Sequence, residues 1–132
     1  MKKYIFCLLP LALLLSACTS PTADLTGEWR LVKLNGADPL PGTNLTLVFD
    51  GEKVSGSGGC NSYFGEYSVK GDKITFKDLG MTLMACLDAQ ANQQETDYFN
   101  ALGQVEFYQV TQDSLTLTGQ NVTLEFTKEN LK

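Results

Sequence analysis

The residues of this chain with the most chemical potential are Cys60 and Cys86, together with the glycine run that leads into the first of them. In "VSGSGGCNSYFGEY", residues 54–67, four glycines fall within ten residues, and a cysteine and an asparagine follow a Gly-Gly pair. Cys60 could be a nucleophile, a metal ligand, half of a disulfide, or a small residue at a glycine-permitted bend. A cysteine nucleophile needs a neighbouring base to raise its thiolate fraction, and histidine is the usual one. The chain contains no histidine, which removes Cys-His and Ser-His-Asp sites and histidine-bearing zinc sites. A two-cysteine site completed by carboxylates stays open, but no CxxC or other close spacing supports it. The expectation is no metal and no cofactor.

The glycines do not form a nucleotide loop. Gly56, Gly58 and Gly59 are followed by Cys60 and Asn61, so GxGxxG lacks its third glycine, and no Lys-Ser/Thr pair follows for a P-loop. Glycines in a strand more often mark a bulge, a bend or a close backbone approach, with Asn61 as a turn residue. Paired carboxylates such as Asp72 with Asp78, or Glu52 with Glu66, could in principle flank a scissile bond. Nothing in their spacing separates them from ordinary solvated acids, so no catalytic residue is expected.

The chain opens "MKKYIFCLLPLALLLSA", two lysines, an apolar run and small residues, which is the layout of a secretory signal over residues 1–17. Its apolar part, Tyr4 to Leu15, is shorter than the roughly 20 residues that a membrane span needs. "LSAC", residues 15–18, resembles the bacterial lipobox, in which cleavage precedes a cysteine that carries lipid. On that reading Cys18 is a lipidated N-terminus, residues 18–25 are a short polar tether, and residues 26–132 are one domain. Each buried acyl methylene contributes about 0.8 kcal/mol, so several chains hold a protein on a membrane that it does not cross. By the sorting rule that the lipobox resemblance implies, Thr19 in place of aspartate points to the outer membrane, with the domain facing the periplasm.

The whole chain has 10 basic and 15 acidic side chains, for a net charge of −5. Without Lys2 and Lys3 the surplus grows to seven negative charges. Nucleic acid is therefore not an expected partner, since its phosphates demand cationic contacts. An acidic surface that keeps a monomeric domain soluble is the simpler reading.

Alternating apolar residues dominate the domain, as expected for strands with one buried face. "EWRLVKL" places Trp29, Leu31 and Lys33 on one side, and "NLTLVFD" aligns Leu45, Leu47 and Phe49. "SYFGEYSV" and "KITFKDL" are separated by the turn signal "KGD", and "VEFYQV", "SLTLTG" and "VTLEF" complete the series. One segment breaks the pattern. Glu95, Tyr98, Phe99 and Leu102 recur at i, i+3, i+4 and i+7, which predicts a helix near 88–102. Asp88 or Asn92 could cap it, and Gly103 is placed to end it. The fold class is mainly β, a small antiparallel β-barrel or strongly curved sheet of about eight strands with one helix.

After export and lipidation only Cys60 and Cys86 remain as thiols. An even number in an exported domain makes a disulfide the expectation, with two nearby free thiols as the rival. Such a bridge could stabilise the fold by about 3 to 4 kcal/mol.

"GEWRLVKLNG", "LTLVFDGEKVSGSGGCNSYFGEY", "MTLMAC" and "ETDYFNALGQVEFY" occur in the order and spacing of the META domain family, which the chain resembles over about residues 26–127. The most specific part is Gly58, Gly59, Cys60 and Asn61, followed by Met84, Ala85 and Cys86. The resemblance implies a β-rich fold of lipocalin-like outline with a helix at one side. It also implies association with heat or envelope stress and with tolerance of novobiocin-type antibiotics, and it supplies no catalytic residues. The expected role is a non-enzymatic envelope lipoprotein that binds another envelope protein. The alternative is a carrier of a small hydrophobic molecule or acyl chain, lined by Trp29, Leu31, Leu47, Phe49, Ile74, Phe76, Leu117 and Phe126.

The anchor is directly testable. Cells fed radiolabelled palmitate should label this protein and retain it in the membrane fraction. Cys18→Ser should lose the label and release the protein, whereas a labelled variant would place the lipid elsewhere.

Overall fold

The structure, a computed structural model, describes residues 24–129. The predicted signal segment, Cys18 and most of the tether lie outside the described residues. Eight strands and one helix follow in chain order: β1 (Gly27–Leu34), β2 (Thr46–Asp50), β3 (Lys53–Ser57), β4 (Ser62–Lys70), β5 (Lys73–Met81), α1 (Ala89–Leu102), β6 (Phe107–Val110), β7 (Ser114–Thr118) and β8 (Thr123–Lys128). Each strand runs antiparallel to the next, and β8 returns to pair with β1, so the sheet curls into a ring.

Short turns set this order. Gly51 and Gly71 adopt positive φ between β2 and β3 and between β4 and β5, where the two-residue connections demand it. The ring is thinnest between β5 and β6, whose register contains one pair, Lys73 with Phe107. The chain leaves β5 there to build α1 before it returns as β6.

The strand periodicity expected from the sequence is interrupted at two places, in β5 at Asp78, opposite a register shift between Phe64 and Glu66 of β4, and at the end of β1. In β1 a register shift against β8 between Leu31 and Lys33 breaks the alternation. Lys33 therefore does not follow Trp29 and Leu31 inward, and its ammonium instead pairs with Asp38 at 2.7 Å. A β-bulge of this kind adds one residue to one strand and turns the side chains that follow it.

Helix α1 begins at Asp88, which settles the choice between two candidate caps. Its carboxylate accepts hydrogen bonds from the N–H groups of Gln90 (2.7 Å) and Ala91 (3.3 Å). The inward face carries Glu95, Tyr98, Ala101 and Leu102, with Phe99 half-buried beside them. The helix closes one end of the ring. Tyr98 reaches in to pack edge-on against Tyr63 and Phe126.

The interior is filled by side chains, as expected of a ring of about eight strands. Trp29, Leu47, Phe49, Ile74, Leu117 and Phe126 are essentially inaccessible, Leu31 is buried, and Phe76 packs against them from the margin. The Trp29 indole N–H donates to the Leu25 carbonyl at 2.8 Å, so even the one polar atom of that ring is satisfied.

Truncation inside this core leaves a hole that the rigid ring cannot collapse to fill. Leu117→Ala should lower the unfolding free energy by about 2–5 kcal/mol, while Leu83→Ala on an exposed connection should change it by less than about 0.5 kcal/mol. Urea titrations of both variants check the contrast.

Candidate functional site

The glycine run divides into two parts. Its first half is β3, and its second half, Gly58 to Asn61, is a tight turn closed by the hydrogen bond from Gly58 N–H to the Asn61 carbonyl at 2.8 Å. Gly59 occupies φ +111°, a conformation that side chains disfavour. The turn points the successive N–H groups of Cys60 and Asn61 the same way, which makes an anion-binding concavity of backbone donors.

The anion in that concavity is the chain's own. Glu95, buried on the inner face of α1, accepts hydrogen bonds at Oε1 from Cys60 N–H (3.2 Å) and Asn61 N–H (2.5 Å), and at Oε2 from the Asn61 side-chain amide (2.6 Å). A buried carboxylate is costly unless it is paired or fully hydrogen-bonded, and here donors alone supply the compensation. None of the three ion pairs among the described residues includes Glu95. Gly58 is required by the same contact, because a Cβ there would lie 2.7 Å from Glu95 Oε1 and 2.9 Å from its Cγ.

Asn61 then carries the connection after β5. Its carbonyl oxygen accepts from Met84 N–H (2.6 Å) and Thr82 Oγ1 (3.0 Å), while its amide nitrogen donates to the Met84 carbonyl (3.1 Å) as well as to Glu95. The side chain's full bonding capacity is used, and its orientation is thereby fixed. Cys60 and Cys86 are joined by a disulfide, with Cα atoms 5.7 Å apart. The two halves of the sequence motif are thus held together twice, through Asn61 to Met84 and through Cys60 to Cys86. Ala85 is exposed between them, and nothing in the structure explains its identity.

Beneath this clasp lies a second buried polar group. Tyr63 Oη and Tyr98 Oη both donate to the Thr46 carbonyl, at 2.6 and 3.2 Å, and lie 2.9 Å from each other. Burial pushes both phenols well above their ordinary pKa, so they remain neutral hydrogen-bonding groups.

The candidate carboxylate pairs form no cleft. Glu52, Glu66, Asp72 and Asp78 are all exposed. Glu66 bonds Lys53 Nζ at 2.7 Å, and this hydrogen bond holds its carboxyl below the usual range, as an anion with no proton to donate near neutrality. Asp78 sits at φ 51° beside the register shift between Phe64 and Glu66.

Surface clefts among the described residues include the following two. One, of about 690 Å³, lies between α1 and the β1–β2 connection and includes Leu34, Leu40, Gln90, Gln94 and Asp97. The other, of about 390 Å³, lies outside β3 and β4 beside Phe64. None of the eight side chains expected to line a carrier cavity borders either cleft; they form the packed core instead. Glu95 and the exposed Leu83 and Leu87 escaped the sequence reading of sites, and Met84 was marked there as part of the motif but not as an exposed side chain. A carboxylate on the apolar stripe of α1 was the available signal for the first.

A sequence profile of the META domain matches residues 23–131. The chain belongs to the META domain family. It is 29% identical to heat shock protein HslJ of Escherichia coli K12 over 134 residues, covering 96% of this chain and 95% of that protein. Among solved structures, an NMR structure of a protein from Burkholderia xenovorans is similar with a TM-score of 0.67 and 25% identity, covering 93% of this chain and all of the other. A crystal structure of a DUF4847 family protein from Bacteroides vulgatus shares the fold at 15% identity and a TM-score of 0.56, over 81% of this chain and 95% of that one. None of these names specifies a catalytic activity. In this META domain the GGCN turn and the MAC segment have a plain physical meaning: they are the two sides of the Glu95 clasp.

Asn61→Ala removes donors and acceptors from Glu95 and Met84 while leaving those groups buried or half-buried. Each orphaned group costs about 1–3 kcal/mol, so the variant should lose about 3 kcal/mol or more in chemical denaturation. Asn61→Asp should be no better, because it sets a second carboxylate against Glu95. A stability within about 0.5 kcal/mol of wild type for either variant would contradict this role.

Proposed function

We propose that this chain is a heat-shock-related envelope lipoprotein of non-enzymatic character, anchored through Cys18 to the outer membrane, that acts as a monomer by binding another envelope protein. The reading draws its stress role from the family and from the similarity to heat shock protein HslJ. It includes a contribution to tolerance of novobiocin-type antibiotics.

One observation carries the binding reading. Leu83 (93% exposed), Met84 (63%) and Leu87 (fully exposed) project from the connection between β5 and α1. The Asn61 hydrogen bonds and the disulfide pin this connection to the turn after β3. Three large apolar side chains within five residues, on a segment that cannot fold them away, form a surface that a partner protein can cover.

Position supports the same reading. Asp24 leads into the start of β1, whose first residues pair with the end of β2 and the end of β8. The apolar connection follows the end of β5, at the opposite end of the ring. A domain tethered through its N-terminus presents that end away from the anchoring membrane. Packing of the expected lining residues against one another favours protein binding over the hydrophobic-carrier alternative.

The combined variant Leu83→Ser, Met84→Ser and Leu87→Ser separates binding from folding. It should accumulate to wild-type levels yet fail to restore heat and novobiocin tolerance to a strain lacking the gene. Full restoration by the variant, or a deletion strain with no sensitivity to restore, would count against the proposal.

A further inference from the structure

The clasp brings together three groups that a metal ion can use. Cys60 Sγ, Cys86 Sγ and a Glu95 carboxylate oxygen all lie within 4.8 Å of one another. In the oxidised protein the sulfurs are bonded to each other and bind no ion. Cys86 Sγ lies 3.8 Å from Glu95 Oε2. A disulfide sulfur has no proton, so this is a contact across which that side of the carboxylate receives nothing.

We propose that reduction of the Cys60–Cys86 disulfide converts this clasp into a zinc site with two thiolate ligands and one carboxylate ligand. A dithiol reductant supplies two electrons and two protons. It becomes a disulfide as Cys60 and Cys86 become thiols. Zinc then binds both sulfurs as thiolates, releases the two thiol protons to water, and takes Glu95 Oε2 as its third protein ligand. Water fills the fourth position of the tetrahedron.

Geometry and charge favour this assignment. Thiolates about 2.3 Å from a tetrahedral zinc sit about 3.8 Å apart, a separation that side-chain rotation can reach between Cα atoms 5.7 Å apart. Both cysteines are half-buried, which leaves an entry path, while Glu95 is buried and already oriented. A dication with two thiolates is neutral overall, so occupation adds no net charge to a place where a carboxylate is already buried. The Asn61 amide, 2.6 Å from Oε2, would remain as the outer partner that orients the ligand. The mixed sulfur and oxygen donor set suits zinc better than magnesium or calcium, which prefer oxygen alone. The expectation of no metal, drawn from the missing CxxC, concerns spacing along the chain; the fold supplies the proximity that the spacing lacks.

The full chain, reduced with a phosphine under argon, mixed with zinc chloride and freed of excess by gel filtration, tests the site by elemental analysis and native mass spectrometry. The reduced protein should retain one zinc per chain and the oxidised protein none. Cys60→Ser and Cys86→Ser should each abolish retention, and Glu95→Gln should weaken binding more than about tenfold. Circular dichroism of the reduced variants distinguishes loss of a ligand from loss of the fold. A reduced wild-type chain that binds no zinc, whether or not it stays folded, overturns the proposal. So does equal zinc retention by the serine variants, which would locate the metal elsewhere.

Discussion

The fold is organised around one buried carboxylate. Glu95 sits on the only helix among the described residues, and its partners belong to the turn between β3 and β4. Without those donors the carboxylate would carry the desolvation penalty of an unpaired buried charge, which exceeds what a marginally stable domain can sustain. The turn must therefore present its N–H groups inward, and this requirement explains both the positive φ of Gly59 and the absence of a Cβ at Gly58. It also places Asn61 where a single side chain can hold Glu95, Met84 and Thr82 together.

The clasp lies where the ring needs it. Between β5 and β6 the sheet is held by little register, and the helix interrupts the chain at that seam. Joining α1 to the β3–β4 turn closes this end of the ring from the inside, while the aromatic contacts of Tyr98 with Tyr63 and Phe126 fill the space below. The disulfide fastens the outer edge of the same junction. Its covalent link and the Asn61 hydrogen bonds are redundant in position but different in kind, since reduction breaks only the first. This difference makes a reduced yet assembled clasp physically reasonable.

Much of the architecture was legible in the sequence because it rests on local pattern. Alternation revealed every strand except the glycine-rich β3, "KGD" revealed a hairpin turn, and the spacing of Tyr98, Phe99 and Leu102 revealed the helix. Lys33 was misplaced because a bulge is set by pairing with β8, a partner 92 positions away along the chain for the Lys33–Glu125 pair. The candidate lining residues were correctly grouped on inward faces, but inward alternation is the same for a hollow ring and a filled one. Only the sizes of side chains meeting across the interior decide between them. Glu95 was visible as a member of the apolar stripe, yet its acceptors' partners lie more than thirty residues away, and no periodicity reports them.

The measurement that most directly tests the central role of the clasp is native-state hydrogen exchange at the amides of Cys60 and Asn61. Both donate to a side chain and not to a neighbouring strand, and Cys60 lies in a half-buried turn. If Glu95 organises this end of the domain, these two amides should exchange only through global unfolding, at rates matching the core amides of β8. Exchange as fast as that of the exposed Gly71–Asp72 turn would show that the clasp opens freely, and would contradict the account.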